Sequence, residues 1–298
     1  MKIIGIPTAI LITAIATGFA GKPKANIKLP KSFTTEFAYV PEGSISVETV
    51  EQEINAFFAL KTEVSNIQYR QFLAAMDTAD DNTQKAVAIY KDNWIKGRWN
   101  NEPFVEYYST HPAYDNYPVV NITHEAAQIY CEWLTARYKT QDLGLPENMQ
   151  LTFRLPNRAE WMHAASGGNH GPYAWGGPYL HNTKGEELAN FLSYGPENIS
   201  FDPESETYKV VPLPISMGVA GAINRSADIT APVRTHAPNG FELYNMNGNV
   251  AEMLAKPGVA AGGSWASTGY DIRNESLMTF DGSSPVVGFR PIAVLTQF

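Results

Sequence analysis

Pro238-Asn239-Gly240-Phe241-Glu242-Leu243-Tyr244-Asn245-Met246-Asn247-Gly248-Asn249-Val250-Ala251-Glu252 is the stretch on which the reading of this chain turns. Asparagine and glycine at this density serve tight turns, because both tolerate left-handed backbone. The same residues expose carbonyl oxygens. Asn245 and Glu252 add side-chain oxygens, and the main-chain carbonyls of Gly248 and Val250 lie between them. An all-oxygen set with one carboxylate suits calcium and not zinc. The alternative is a plain hydrogen-bonded turn. From Gly167 to the end the chain keeps this texture, with glycine, proline, asparagine and aromatics punctuating short apolar pieces. Such punctuation predicts irregular β structure with long loops.

Before Gly167 the pattern is helical. Ser65-Asn66-Ile67-Gln68 is a capping box, and Tyr69, Phe72, Leu73 and Met76 then fall on one stripe. A second helix follows Thr123, with Ala127, Tyr130, Cys131, Leu134 and Tyr138 sharing a face. A third, short helix is capped by Asn157 with Glu160 three residues on, and Gly167-Gly168 should end it. Phe37 to Gly43 reads as a strand closed by a turn, and Ile54 to Lys61 as another. Residues 77–116 read as an insertion carrying a helix over 83–95. No repeat, charge block or linker divides the chain, so residues 37–298 form one domain after a flexible lead-in over 21–36.

Composition narrows the function. The 298 residues are 44% apolar and 17% charged, which supports a sizeable core and excludes a disordered chain. Lysine and arginine number 22 against 30 acids, for a net charge of −8, so a nucleic-acid binder is not expected. Cys131 is the one cysteine, which excludes an internal disulfide and any cysteine-rich metal site. Its place on an apolar helix face makes it a core thiol and not a nucleophile. Lys2, the apolar run Ile3 to Ala16 and the small-x-small Gly18-Phe19-Ala20 read as a signal peptide over 1–20. No cysteine follows it, so a lipoprotein anchor is not expected. The location implied is the periplasm or cell envelope.

Familiar catalytic signatures are missing. The six histidines make no His-Glu-x-x-His pair. Gly262-Gly263-Ser264-Trp265-Ala266 lacks the last glycine of a nucleophile elbow. There is no P-loop and no dinucleotide fingerprint.

Several pieces in register carry a resemblance. They are Phe37-Ala38-Tyr39-Val40-Pro41-Glu42-Gly43, Glu63-Val64-Ser65-Asn66, Tyr117-Pro118-Val119-Val120-Asn121-Ile122, Tyr130-Cys131-Glu132-Trp133-Leu134 and Arg154-Leu155-Pro156-Asn157-Arg158-Ala159-Glu160-Trp161. Tyr173-Ala174-Trp175-Gly176, Asn245 to Glu252, Gly262-Gly263-Ser264-Trp265 and Gly288-Phe289-Arg290 complete the set. Together they resemble the sulfatase-modifying factor family, founded on the formylglycine-generating enzyme. The resemblance implies an irregular α+β fold of the formylglycine-generating-enzyme type, related to C-type lectins and low in regular secondary structure. It also implies a structural Ca2+ on Asn245, Gly248, Val250 and Glu252; a second family calcium site begins with an asparagine matched by Asn190, but its remaining ligands do not align around Asp228 and that site stays open.

The enzyme's copper-binding cysteine pair falls on Ser267 and Ile272 here, so neither copper nor formylglycine formation is expected, and the reading leans away from an enzyme. Trp175 to Leu180, with Lys184-Gly185 and Leu188-Ala189-Asn190-Phe191, is similar to gliding-motility and type IX secretion proteins of Bacteroidetes. The expectation is a non-catalytic scaffold or binding module acting on an envelope protein partner, with Trp265, Ser267, Tyr270 and Arg273 as the ligand or partner surface. The alternatives are a maturation enzyme with an iron or pyridoxal cleft, and a lectin-like small-ligand binder using exposed Trp265 and Tyr270.

Overall fold

A computed structural model describes residues 29–96, 101–193, 199–210 and 229–297. The expected leader over 1–20 lies outside them. The first described element corrects the lead-in reading, because α1 (Lys31–Glu36) is an ordered helix. Phe33 anchors it by stacking on Phe37 at 4.7 Å and meeting Tyr138 edge-on at 5.5 Å. One large aromatic, and no longer pattern, signals this helix.

Strands β1 (Phe37–Val40), β2 (Gly43–Val47), β3 (Val50–Ile54) and β4 (Phe57–Leu60) follow. Next come α2 (Asn66–Ala75), α3 (Asp81–Ala86), α4 (Glu102–Tyr107) and α5 (His124–Lys139). After β5 (Met149–Arg154) and α6 (Arg158–Ser166) only strands remain. They are β6 (Ile199–Asp202), β7 (Thr207–Val210), β8 (Ala251–Met253), β9 (Val259–Ala261), β10 (Leu277–Thr279), β11 (Val287–Gly288) and β12 (Ile292–Gln297).

The helix caps form as the sequence predicts. Ser65 and Gln68 close a full capping box on α2, as Asn157 and Glu160 do on α6. Gly167 ends α6 in left-handed backbone at φ 58°. The helix expected over 83–95 breaks instead: α3 stops at Ala86, and a separate 3-10 turn covers Lys91–Ile95. Burial of Trp94 against Tyr108, with ring centroids 4.8 Å apart, makes this supposed insertion part of the main core.

Two four-stranded sheets organise the molecule. One has the order β1-β4-β12-β5 and is antiparallel throughout, so the last described strand lies between two early ones. The other runs β10-β9-β8-β11, with β11 parallel to β8. Pairs β2-β3 and β6-β7 are hairpins. α5 packs its predicted face, including Tyr130, Cys131, Leu134 and Tyr138, into the larger core. Trp161, Ala164 and Ala165 of α6 pack into a second core with Leu243, Met246 and Ile292. Between the two cores runs a buried polar seam. The mixture of helices and sheets is the expected α+β class.

Candidate functional site

The seam is built from four chain segments. Glu63 follows β4, where Val64 donates its N–H to Phe289 O and accepts from the Val119 N–H. These two bonds fix the backbone just before α2 and hold the Glu63 side chain fully inside the protein. Asn245, Asn247 and Asn249 come from the turn-rich stretch, Glu252 from β8, and Arg290 from the residues between β11 and β12. Asn245 and Asn249 take left-handed backbone, at φ 51° and 61°. Asparagine tolerates this region better than most residues, which accounts for its density here.

Two of these asparagines are struts. Asn249 Nδ2 donates to Glu63 Oε1 at 2.7 Å and to Ala231 O at 3.2 Å, while its Oδ1 accepts from Ala231 N and Asn190 Nδ2. Asn247 joins the 174 and 272 loops: its Oδ1 accepts from Ala174 N at 2.7 Å and its Nδ2 donates to Ile272 O at 2.6 Å. Asn245 is different. Its Nδ2 reaches Glu63 Oε2 and Pro232 O at 3.4 Å each, and its buried Oδ1 has no hydrogen-bond partner.

The charges divide unevenly. Arg290 holds Glu252 with Nη2 at 2.7 Å from Oε1 and Nε at 3.0 and 3.1 Å from the two oxygens. Trp161 Nε1 donates to Oε2 at 2.8 Å. Glu63 is left with amide donors only. Burial pushes its carboxyl up to about 8, against the pull of the Arg290 charge and with the help of Glu252. Two buried acids therefore share one guanidinium, and the second acid stays protonated near neutral pH.

This arrangement tests the calcium expectation. Asn245 fits, since an unpartnered buried amide oxygen is what a hard cation would take. Gly248 is pressed so close to Asn190 that an added Cβ would lie 2.3 Å from the Asn190 carbonyl oxygen. Val250 is buried beside it. Glu252 fits poorly as the source of charge, because Arg290 already neutralises it. The buried carboxylate that lacks a cation is Glu63, in contact with Asn245. Sequence reading used Glu63 only as a family motif residue. A carboxylate among the apolar residues before α2 was the one available signal. Among the described residues no three His, Cys, Asp or Glu side chains converge as a metal site. A cation here would rely on amide and main-chain oxygens. For the second calcium site, Asn190 is fully buried and donates to Ile229 O, while Asp228 lies outside the described residues.

The expected surface residues separate. Trp265 is 8% exposed, packs in the main core and donates Nε1–H to Pro285 O, so it forms no surface. Tyr270 is 69% exposed, and the Arg273 guanidinium lies 3.5 Å from its ring centre. Ser267 Oγ accepts from Ser264 N at 3.0 Å and closes a turn. Ile272 is fully buried against Tyr173, Ala189 and Phe191. Cys131 packs in the main core on α5, apart from the small core that holds Ile272, and burial pushes its thiol well above the usual range. A cavity of about 280 Å³ opens elsewhere, between the β2-β3 hairpin and the start of α6, lined by Glu53, Ile54, Arg154, Glu160 and Thr296. Arg154 and Glu160 close on each other there at 2.6 and 2.7 Å.

Comparison with known proteins agrees with this architecture. A family model described as the sulfatase-modifying factor enzyme 1-like domain matches residues 24–294. Formylglycine-generating enzyme of Mus musculus is 26% identical over 174 residues, covering 58% of this chain and 33% of that protein. Serine/threonine-protein kinase pkn1 of Chlamydia pneumoniae is 25% identical over 237 residues, covering 75% of this chain and 28% of that protein. The chain thus spans about a third or less of the curated relatives it matches. Among solved structures, PvdO from Pseudomonas aeruginosa aligns with a TM-score of 0.53 at 15% identity, over 86% of this chain and 93% of that one. CarF aligns with a TM-score of 0.53 at 20% identity, over 90% and 98%. At such identities the structural likeness speaks for the fold, and the family model supplies the rest: the chain belongs to the family of sulfatase-modifying factor enzyme 1-like domains.

Proposed function

We propose that this protein is an exported family member that has left formylglycine chemistry and serves as a non-catalytic binding module or scaffold in the cell envelope. One observation carries the reading. At the two positions where the family resemblance places copper-binding cysteines, Ser267 closes a turn and Ile272 is sealed in a small core. Isoleucine offers no ligand atom and fills the space a reacting group would need. The apolar leader beginning at Lys2 supports export, with a mature chain starting at Gly21. The similarity of Trp175 to Leu180 to gliding-motility and type IX secretion proteins supports an assembly role with an envelope protein.

Calcium belongs to this proposal as a structural ion. Asn245 Oδ1 would hold it with the main-chain oxygens of Gly248 and Val250, and Glu63 would supply the negative charge. Glu252 would position the strand through Arg290 and Trp161. An ion there would brace the stretch that carries the Asn247 and Asn249 struts.

The test is direct. Purified mature protein, loaded with copper(I) and given oxygen and a cysteine-containing sulfatase peptide, should produce no aldehyde. It should copurify with an envelope protein from its own cells. Aldehyde formation would overturn the non-catalytic reading.

A further inference from the structure

The β6-β7 hairpin belongs to neither four-stranded sheet, and among the described residues its strands pair only with each other. A two-stranded hairpin is marginal in water by itself, so an uncovered face on one favours a partner. Phe201 and Tyr208 are directly opposite in the register, which puts both rings on one side. The ring centroids are 5.3 Å apart, and the two residues are 52% and 77% exposed. On the other side Lys209 pairs with Asp202. The same aspartate shapes the turn between the strands, accepting from Glu204 N at 3.0 Å and from Ser205 Oγ at 2.9 Å. Ser205 Oγ in turn lies 2.8 Å from Thr207 Oγ1. Next to the ring pair this turn is acidic: Glu204 and Glu206 are exposed, and neither has a cationic partner among the described residues.

Ring geometry and charge together select the occupant. The two rings are inclined by 59°, which makes a wedge and not the flat platform on which a sugar ring stacks. The uncompensated glutamates repel an anionic membrane surface or polymer. An isologous contact with a second copy would set the same acids against each other, in a chain whose net charge is already −8. A protein cleft answers both features. Aromatic side chains anchor protein interfaces by filling pockets on the partner, and acids at the edge of the contact call for lysine or arginine opposite them.

We propose that the Phe201–Tyr208 face of the β6-β7 hairpin docks into an apolar cleft, rimmed by lysine or arginine, on a protein partner. This rests on the reading of the chain as a binding module and names its surface and the partner's chemistry. The test puts the photocrosslinker p-benzoylphenylalanine in place of Tyr208 in the full chain, irradiated in its own cells. The control carries it in place of Tyr39, an exposed tyrosine on β1. One discrete protein adduct should form from position 208 and not from position 39. Phe201→Ser should weaken it roughly fivefold or more, and so should Glu204→Lys combined with Glu206→Lys. Both variants should keep the parent melting temperature, because the altered side chains are exposed. No protein adduct, an equal adduct from position 39, an adduct to lipid or to a second copy, or one that survives either variant would overturn the proposal. If an envelope protein still copurifies with the Phe201→Ser chain, the binding-module reading stands and the hairpin alone is excluded.

Discussion

Arg290 and Glu252, 38 residues apart, meet through three N–H···O contacts of 2.7 to 3.1 Å with almost no solvent at either side chain. The same guanidinium also donates to Leu60 O at 2.8 Å and Tyr244 O at 2.6 Å. It therefore ties the end of β4, the asparagine-rich stretch and β8 to the approach of β12.

Arg290→Met should accordingly be among the most damaging single changes. Breaking a buried pair by removing one partner costs about 3–5 kcal/mol, because the other charge stays buried and unpaired. Glu252→Gln in the same background should cost less than it does alone, since it removes the stranded charge. Equilibrium urea unfolding of the two single variants and the double variant measures this. Strict additivity of the three values would show that the pair is not coupled.

The cap of α6 allows a milder test. Asn157→Ala removes the acceptor for Glu160 N at 2.9 Å and should cost about 1 kcal/mol. Gly167→Ala should cost more. Its backbone sits at φ 58°, and the new Cβ would lie 2.8 Å from both Asn239 Cβ and Gly240 N. Denaturation midpoints that fell in the opposite order would show that the Gly167 contact relaxes freely.

These caps mark what local sequence can reveal. Ser65, Asn157 and the stripe on α5 are decided by neighbours within one or two helical turns, and each takes its expected place. Pairings set by distant segments leave no such trace. Nothing near Ile292 announces that β12 will sit between β4 and β5, and nothing near Trp94 announces contact with Tyr108. At the site, the turn that holds Asn245 in left-handed backbone was legible because its chemistry is local. The pairing of Glu252 with Arg290 was not, because Arg290 lies far along the chain. Trp265 was misleading for a related reason, since an aromatic beside glycines reads equally as a platform or a plug.

Alkaline stability tests the buried hydroxyls and thiol. Burial raises Cys131, Tyr69, Tyr108 and Tyr130 above their ordinary values of 9.0 and 10.0. The folded protein then keeps protons that the unfolded chain begins to release near those ordinary values. Stability from these groups is complete below that range and falls as pH rises through it, since the unfolded state binds fewer protons. Unfolding midpoints should drop steeply above about pH 9. Cys131→Ala should shift the onset upward, and the native thiol should resist a disulfide reagent at pH 8. Rapid labelling of the folded protein would refute the burial argument.

Calcium gives the last test, and the two carboxylates make it discriminating. An ion bound only by the folded state stabilises it by about 2.7 kcal/mol at 100 times its dissociation constant. Metal-stripped protein should therefore gain melting temperature on adding calcium and lose it on adding chelator. Asn245→Ala removes the unpartnered Oδ1 and should abolish most of the calcium-dependent gain. Glu63→Gln should do the same by removing the group that would carry the charge, while changing the chelated protein little, because the buried carboxyl is already neutral there near neutral pH. Glu252→Gln should behave differently. It leaves Arg290 unpaired, so it should lower the melting temperature by a similar amount with and without calcium. If calcium leaves the stripped protein unchanged, the ion is not part of this structure. If Glu252→Gln removes the calcium gain and Glu63→Gln keeps it, the carboxylate facing the ion is Glu252 and the charge assignment made from Arg290 is reversed.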